Sequence, residues 1–406
     1  MYNVLIWCLL FHVLYPVVTE GNLDLVIVLF RHGDRTPTWS YPNDIYTETD
    51  WPNGFGQLTS KGISQMLALG KRLRSMYSHN LGLNLSTFDA KMIYVRSTDF
   101  DRTLMSAISL LQGLYDPGVI VPIHTIESDR DHLLINKVFC PRYKELLRHA
   151  FSSEYAKSIE GHLRDLFTKL KNFTKSDRMN IITAARIWDT LFIENIYQRL
   201  PSWAVNNWDI LETNLSVVRW EMFKTTLLTK EMVQMRTSLL LNEILQIVKR
   251  SKHKELLLSM YSVHDSTISA LLSSFEQLST NQPPGYGGFI SIEISTNSKG
   301  IRSIRVHYAI NSTAELKPIE VPCKCPTVHK IKCEGEFCCN IDCFVKSIED
   351  FILTPHELKQ HCQIDQNNNT CSSGIDMNIK FMLIVSCFIL FLTLFTLIAR
   401  VRKKLN

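Results

Sequence analysis

The stretch that most constrains this chain is Leu25-Val26-Ile27-Val28-Leu29-Phe30, six apolar side chains followed at once by Arg31-His32-Gly33-Asp34-Arg35-Thr36-Pro37. An unbroken apolar run rich in β-branched residues has no polar face to offer water. It reads as a strand covered on both sides in a parallel sheet. In open α/β sheets, ligands bind beyond the carboxyl ends of the strands, at a topological switch point. The charged turn therefore falls where such a fold does its chemistry. Arg31 and Arg35 carry planar forks of donors that match phosphate or carboxylate oxygens, and His32 between them faces any anion they hold. Gly33 lets the backbone turn close to a ligand, and Pro37 stiffens the exit.

The same arrangement, a strand ending on ionisable residues, recurs twice. Lys91 to Val95 reads as a second strand running into Arg96-Ser97-Thr98-Asp99-Phe100-Asp101-Arg102. A helix is expected over 101–114, capped by Ser97, Thr98 or Asp99. Arg96, at a strand end beside a helix N-terminus, is a candidate third phosphate ligand. Arg102, a helical turn further on, is expected to point away and serve structure. The third case is Glu255 to Val263, followed by His264-Asp265-Ser266-Thr267 and a helix over 267–275. Trp51 to Thr59 forms a tight turn feeding a helix over 61–77, with Leu67, Leu69, Leu73 and Met76 on its apolar face and Thr59 or Ser60 as cap.

Residues 130–250 show no convincing strand but successive helical patterns, such as 144–157 and 222–248. This marks a helical cap inserted into an α/β domain made of 21–129 and 251–362. The expected architecture is α/β: a doubly wound, mostly parallel sheet flanked by helices, with a smaller helical cap domain and a C-terminal transmembrane helix.

Arg31 to Pro37, Gly54-Phe55-Gly56-Gln57-Leu58-Thr59, Arg96 to Arg102 and His264-Asp265 together resemble the histidine acid phosphatases, in the branch containing the prostatic and lysosomal enzymes. The resemblance spans about 24–362. It implies hydrolysis of orthophosphoric monoesters through a phosphohistidine, with His32 as nucleophile and Asp265 as proton donor. It places Arg31, Arg35, Arg96 and His264 on the phosphate oxygens, and makes His124 of Val121-Pro122-Ile123-His124-Thr125 a pocket residue. It also implies a Cys140–Cys362 disulfide and homodimerisation. The chain departs from the family by lacking a cysteine pair around 192–194 and 287–289.

The chemistry agrees with the residues. Neighbouring arginines disfavour the imidazolium and keep His32 a neutral nucleophile. A carboxylic acid that must carry a proton predicts an acidic optimum. No Asp/His cluster has metal-ligand spacing, so neither metal nor other cofactor is expected. The alternatives are a phytase or inositol-polyphosphate phosphatase, and a non-catalytic glycosylated surface receptor on the same fold. A near-neutral outer domain argues against a densely anionic substrate, and an intact proton donor argues against a mere receptor.

The net charge of +5 comes largely from the chain ends. Five of the 44 basic residues and one of the 39 acidic ones lie outside 21–379, which leaves 39 against 38. No basic field suggests nucleic acid. Residues 1–20 read as a secretory signal peptide, a signal anchor being the alternative. The 19 uncharged residues from Phe381 to Ala399 match a hydrocarbon core of roughly 30 Å and are followed by basic residues over 400–406, as in a type I membrane protein. Residues 363–380 are the juxtamembrane linker. The catalytic domain is then extracellular or luminal, at the cell surface or in lysosomes. The Lys403-Lys404 tail resembles an endoplasmic-reticulum retrieval signal, the lesser alternative. Sequons at Asn84, Asn172, Asn214, Asn311 and Asn368 suit that side of the membrane. So do the six cysteines between Cys323 and Cys343, whose Cys-x-Cys and Cys-Cys spacings favour disulfides over zinc.

Overall fold

The computed structural model describes residues 22–135, 140–251, 255–276, 282–323 and 339–363. The chain divides into two units, Met1–Gln363 and Ile364–Asn406, and all described residues belong to the first. The expected signal and transmembrane segments, the tail, Asn368 and three of the six clustered cysteines lie outside the described residues. Among the described residues no helix is long and apolar enough to cross a membrane.

The strands are β1 (Asn22–Arg31), β2 (Ile93–Ser97), β3 (Leu258–Val263), β4 (Phe289–Thr296), β5 (Arg302–Ala309), β6 (Lys317–Ile319) and β7 (Cys339–Asn340). The helices are α1 (Ser60–Tyr77), α2 (Asp101–Leu114), α3 (Pro141–Phe151), α4 (Glu154–His162), α5 (Arg164–Thr174), α6 (Ile181–Ile196), α7 (Ser202–Val205), α8 (Trp208–Thr225), α9 (Lys230–Arg250), α10 (Asp265–Ser274), α11 (Ile341–Ile348) and α12 (Pro355–His361).

The strands form one sheet in the order β2-β3-β1-β4-β5-β6, with β7 paired to β5. Only β2, β3 and β1 run parallel to one another; the pairings of β1 with β4, β4 with β5, and β5 with β6 and β7 are antiparallel. The sheet is mixed, not mostly parallel as expected. The reason is local. Asn297 folds its carboxamide onto the amides of Lys299 and Ile301, and Gly300 takes a φ of +75°. So short a link can join only antiparallel neighbours. The alternation of Ile290, Ile292 and Ile294 with Ser291, Glu293 and Ser295 carries the same message in period 2.

β1 lies inside the sheet and is buried on both faces, as its composition requires. Leu25, Ile27 and Leu29 join Tyr261, Val263 and the isoleucines of β4 in one core layer, packed under α9, α10 and α11. Val26, Val28 and Phe30 join Leu258 and Met260 in the other, under α1 and α2. The parallel register Val26↔Leu258 to Arg31↔Val263 brings the carboxyl ends of β1 and β3 level. His32 and His264 consequently leave the sheet side by side.

From α3 to α9 the elements are all helices, and α5, α6 and α8 share a separate apolar cluster with Tyr41. The last of the helices in this segment packs elsewhere. Leu240, Leu241, Ile244, Leu245, Ile247 and Val248 of α9 pack on the sheet. The pattern expected over 222–248 is two helices, since Thr229 caps α9 through the amide of Met232. Likewise Ser153 caps α4 and divides 144–157. At the other end of the chain, Cys140 and Cys362 form a disulfide, tying α3 to the end of α12. Cys323 and Cys339 form a second, within the cysteine cluster.

α1 and α2 cross at glycines. A Cβ at Gly70 would stand 1.9 Å from the carbonyl oxygen of Leu110, and one at Gly113 would stand 2.1 Å from that of Leu67. Backbone oxygens cannot yield as side chains can. Gly113→Ala should thus force the helices apart and cost about 2 kcal/mol, within the range for overpacking. Urea unfolding of the two proteins checks this, and an unchanged midpoint would contradict the close approach.

Candidate active site

The first motif is held in place by backbone. The His32 amide donates to the carbonyl of Val263 at 3.2 Å, and the Gly287 amide donates to the carbonyl of His32 at 3.1 Å. Gly33 and Gly62 touch across the turn: a Cβ on Gly33 would lie 2.5 Å from the Gly62 oxygen. α1 is thereby pressed against the loop. Asp34 is fully buried and accepts from Thr59 Oγ1 at 2.6 Å and Tyr197 OH at 2.5 Å. It is a structural tie between the motif, α1 and the segment after α6.

His32 is buried, and its Nδ1 lies 2.8 Å from the carbonyl oxygen of Gly33. A carbonyl can only accept, so Nδ1 carries the hydrogen and Nε2 keeps its lone pair. Burial, reinforced by Arg31, Arg102, His264 and Arg35, pushes the imidazole well below its ordinary pKa. The ring is thus a neutral base with one nitrogen available. His264 stands edge-on to it, ring centroids 5.6 Å apart. The hydroxyl of Thr98 donates to Thr103 Oγ1, so His264 Nε2, at 3.1 Å from Thr98 Oγ1, must be the donor in that pair.

A cleft of about 200 Å³ opens on these groups, lined among others by His32, Arg35, Arg102, His264 and Asp265. Arg35 gives one nitrogen to both oxygens of Asp189, each at 3.0 Å. Burial disfavours its charge, but Asp189 more than restores it. Arg31 is buried, donates to the Pro284 carbonyl at 2.8 Å and stacks 4.4 Å over Tyr286. Asp265 is held from two sides: Arg31 reaches its Oδ2 at 3.1 Å and Arg219 of α8 reaches the same oxygen at 2.7 Å. Burial alone would raise the Asp265 pKa. Arg31 and Arg219, helped by His32 and Arg35, hold it far below the usual carboxylate range instead.

Two expected assignments exchange places. Arg96 does not line the cleft. It pairs with the fully buried Asp131 at 2.6 Å, and Asp131 also accepts from the amides of Leu133 and Leu134. Arg96 thus anchors the loop that forms one wall. Alternation explains it: Ile93, Val95 and Ser97 face one side of β2, and Tyr94 and Arg96 leave by the other. Arg102, expected to be structural, lines the cleft. It sits in the first turn of α2, which overhangs the strand end, and burial beside Arg35 pushes its guanidinium down to about 10. The available signal was that the helix starts at Asp101, too late for Ser97, Thr98 or Asp99 to cap it. His124 is also outside the cleft: exposed, stacked on Tyr94 at 5.0 Å and bridged to Arg96 through backbone. Sequence reasoning missed Asp189 and Arg219, which lie in helices whose spacing carries no motif.

A family model described as the histidine phosphatase superfamily (branch 2) matches residues 22–309. The chain belongs to that family. Testicular acid phosphatase of Mus musculus is 36% identical over 313 residues, covering 72% of this chain and 72% of that protein. Lysosomal acid phosphatase of Homo sapiens is 29% identical over 406 residues, covering 95% and 89%. Among solved structures, the phytase of Klebsiella sp ASR1 superposes with a TM-score of 0.64 at 19% identity, over 85% of this chain and 100% of that one. At that identity the likeness speaks for the fold.

In this histidine phosphatase the two arginines of the second segment should separate cleanly on mutation. Arg102→Met should lower kcat/KM for a phosphate monoester at least about a hundredfold, the scale of a lost charge-assisted contact in the transition state. Arg96→Met should instead leave a buried carboxylate unpaired and lower the thermal midpoint. Activity per folded molecule should then change only a few-fold. The opposite outcome would return Arg96 to the site.

Proposed function

We propose that this histidine phosphatase hydrolyses phosphate monoesters in two steps, with His32 as the residue that is phosphorylated. The observation carrying this is the fixed tautomer of His32, a buried neutral imidazole whose Nε2 lone pair is kept available among Arg31, Arg35 and Arg102. Phosphoryl transfer requires mainly positioning and compensation of charge on the non-bridging oxygens. Arg35, Arg102, Arg31 and His264 would supply it. Nε2 forms the N–P bond as the ester P–O bond breaks, and Asp265 gives its proton to the departing oxygen. Water then attacks phosphorus and breaks the N–P bond, Asp265 takes the water's proton, and inorganic phosphate leaves.

Asp265 starts as a carboxylate clamped by two guanidiniums, so it must gain a proton to act as donor. A bound phosphate dianion would supply the condition. It draws Arg31 toward its oxygens and adds negative charge beside Asp265, which raises the pKa of the acid. Arg219 remains on Asp265 and opposes that rise. The sign follows: the donor is protonated at low pH, and activity falls as pH rises through its pKa in the complex. The depressed pKa of His32 keeps the nucleophile neutral well into the acid range.

The decisive measurement is turnover of p-nitrophenyl phosphate by the full chain between pH 4 and 8 with a chelator present. His32→Ala should reduce it at least roughly a thousandfold, and alkaline quenching of the wild type with labelled substrate should trap phosphate on protein that is stable in base and released by acid. Folded protein without turnover would exclude the reading. In the same assay Arg219→Met should move the alkaline limb of kcat upward by about one pH unit, because the ionised form of Asp265 loses a stabilising charge.

We place the catalytic domain outside the cytosol. Two disulfides support this, as do lysosomal and prostatic acid phosphatases among the relatives. Membrane anchoring by residues 381–399 and homodimerisation are carried by sequence and resemblance. Asn84 and Asn172 are exposed, whereas Asn214 and Asn311 are half-buried with their side chains hydrogen-bonded locally. From secretory cells the full chain should carry N-glycans, and endoglycosidase should increase its gel mobility. Unchanged mobility would argue against this location.

A further inference from the structure

Arg236 of α9 lines the cleft, and no step proposed above employs it. Among the described residues its half-buried guanidinium has only neutral, long contacts. Nη2 donates to the carbonyl of Ser266 at 3.3 Å, and Nη1 donates to Tyr143 OH at 3.4 Å. Among the described residues no carboxylate is paired with it. Arg31, Arg35 and Arg219, by contrast, each hold one. A cation kept partly out of water without a counter-charge costs free energy, which a bound anion can offset.

Its position says which anion. Arg35 and Arg102 belong to the side of His32, where the phosphoryl group must sit for attack. Arg236 is fastened to the residue immediately after the candidate proton donor, Asp265. Substrate lying there is the alcohol that departs. Leu134, Ile135 and Phe100 complete the wall and offer apolar contact for a short carbon skeleton. One planar fork with one positive charge matches one carboxylate. A densely phosphorylated ring would require several cations.

We infer that Arg236 forms a leaving-group subsite selecting monoesters whose alcohol bears a carboxylate close to the ester oxygen. This rests on the monoesterase reading above and goes beyond it by naming the substrate class. The matched probes are 2-phosphoglycerate and glycerol 2-phosphate, which share a skeleton and differ by a carboxylate in place of a hydroxymethyl group. The full-length enzyme should prefer 2-phosphoglycerate by roughly tenfold in kcat/KM, expressed mainly in KM, the scale of one charge-assisted contact at a partly exposed site. Arg236→Gln should bring the ratio of the two substrates toward one. Arg236→Lys, charged but without the fork, should give an intermediate ratio.

A wild-type ratio near one overturns the inference, and so does a ratio that neither variant changes. If Arg236→Gln does not fold, the wild-type and Arg236→Lys ratios decide by the same criterion. Turnover of glycerol 2-phosphate with an unaltered ratio removes the subsite and leaves the monoesterase standing. No turnover of either probe by the folded wild type removes both.

Discussion

The structure depends on an excess of positive charge gathered in and beneath one cleft. Arg31, Arg35, Arg102, Arg219 and Arg236 converge at the carboxyl ends of three parallel strands, and the described carboxylates that oppose them there are Asp265 and Asp189. Buried charges left without partners are costly, so such a cluster persists only if the surrounding fold pins each group and something else completes the balance. A phosphate dianion is suited to do so. The local field owes nothing to the whole chain, whose central 359 residues are almost neutral.

That arrangement makes α6 and α8 part of the site. α6 supplies Asp189 to Arg35, α8 supplies Arg219 to Asp265, and Tyr197, just beyond α6, bonds to Asp34. Arg219 is itself stacked 4.4 Å from the ring of Trp188. The segment from α6 to α8 therefore holds the charged groups of three motif residues and does not merely shape an entrance. Deleting or swapping it would leave Arg35 and Asp265 with different partners and a different pH response.

Fold and site were legible to different depths. β1 was plain because six buried apolar residues admit few other readings, and the helices 60–77 and 101–114 followed from apolar periodicity. The antiparallel half of the sheet is written in Phe289 to Thr296 only as period-2 alternation. Its direction is set by a short turn, not by strand composition. The division of the long helical patterns at Ser153 and Thr229 turned on single hydroxyls that compete for the next turn's amides. The family resemblance located the segment Arg96 to Arg102 correctly and chose the wrong arginine within it. A strand residue leaves perpendicular to the sheet, whereas one in the following helical turn can lean over the strand end.

By itself the sequence determined that a buried strand ends in Arg31-His32-Gly33-Asp34-Arg35, that a second ends in His264-Asp265, and that these motifs belong to histidine phosphatases. Those are matters of local order along the chain, where composition and spacing speak directly. Tertiary structure decided which nitrogen of His32 is available, that Arg102 and not Arg96 faces the cleft, and that Asp189 and Arg219 complete the charge network. Each is a contact between residues far apart in the chain, or a direction in space. Neither leaves a period in the sequence, because it comes into being only when the helices close over the sheet.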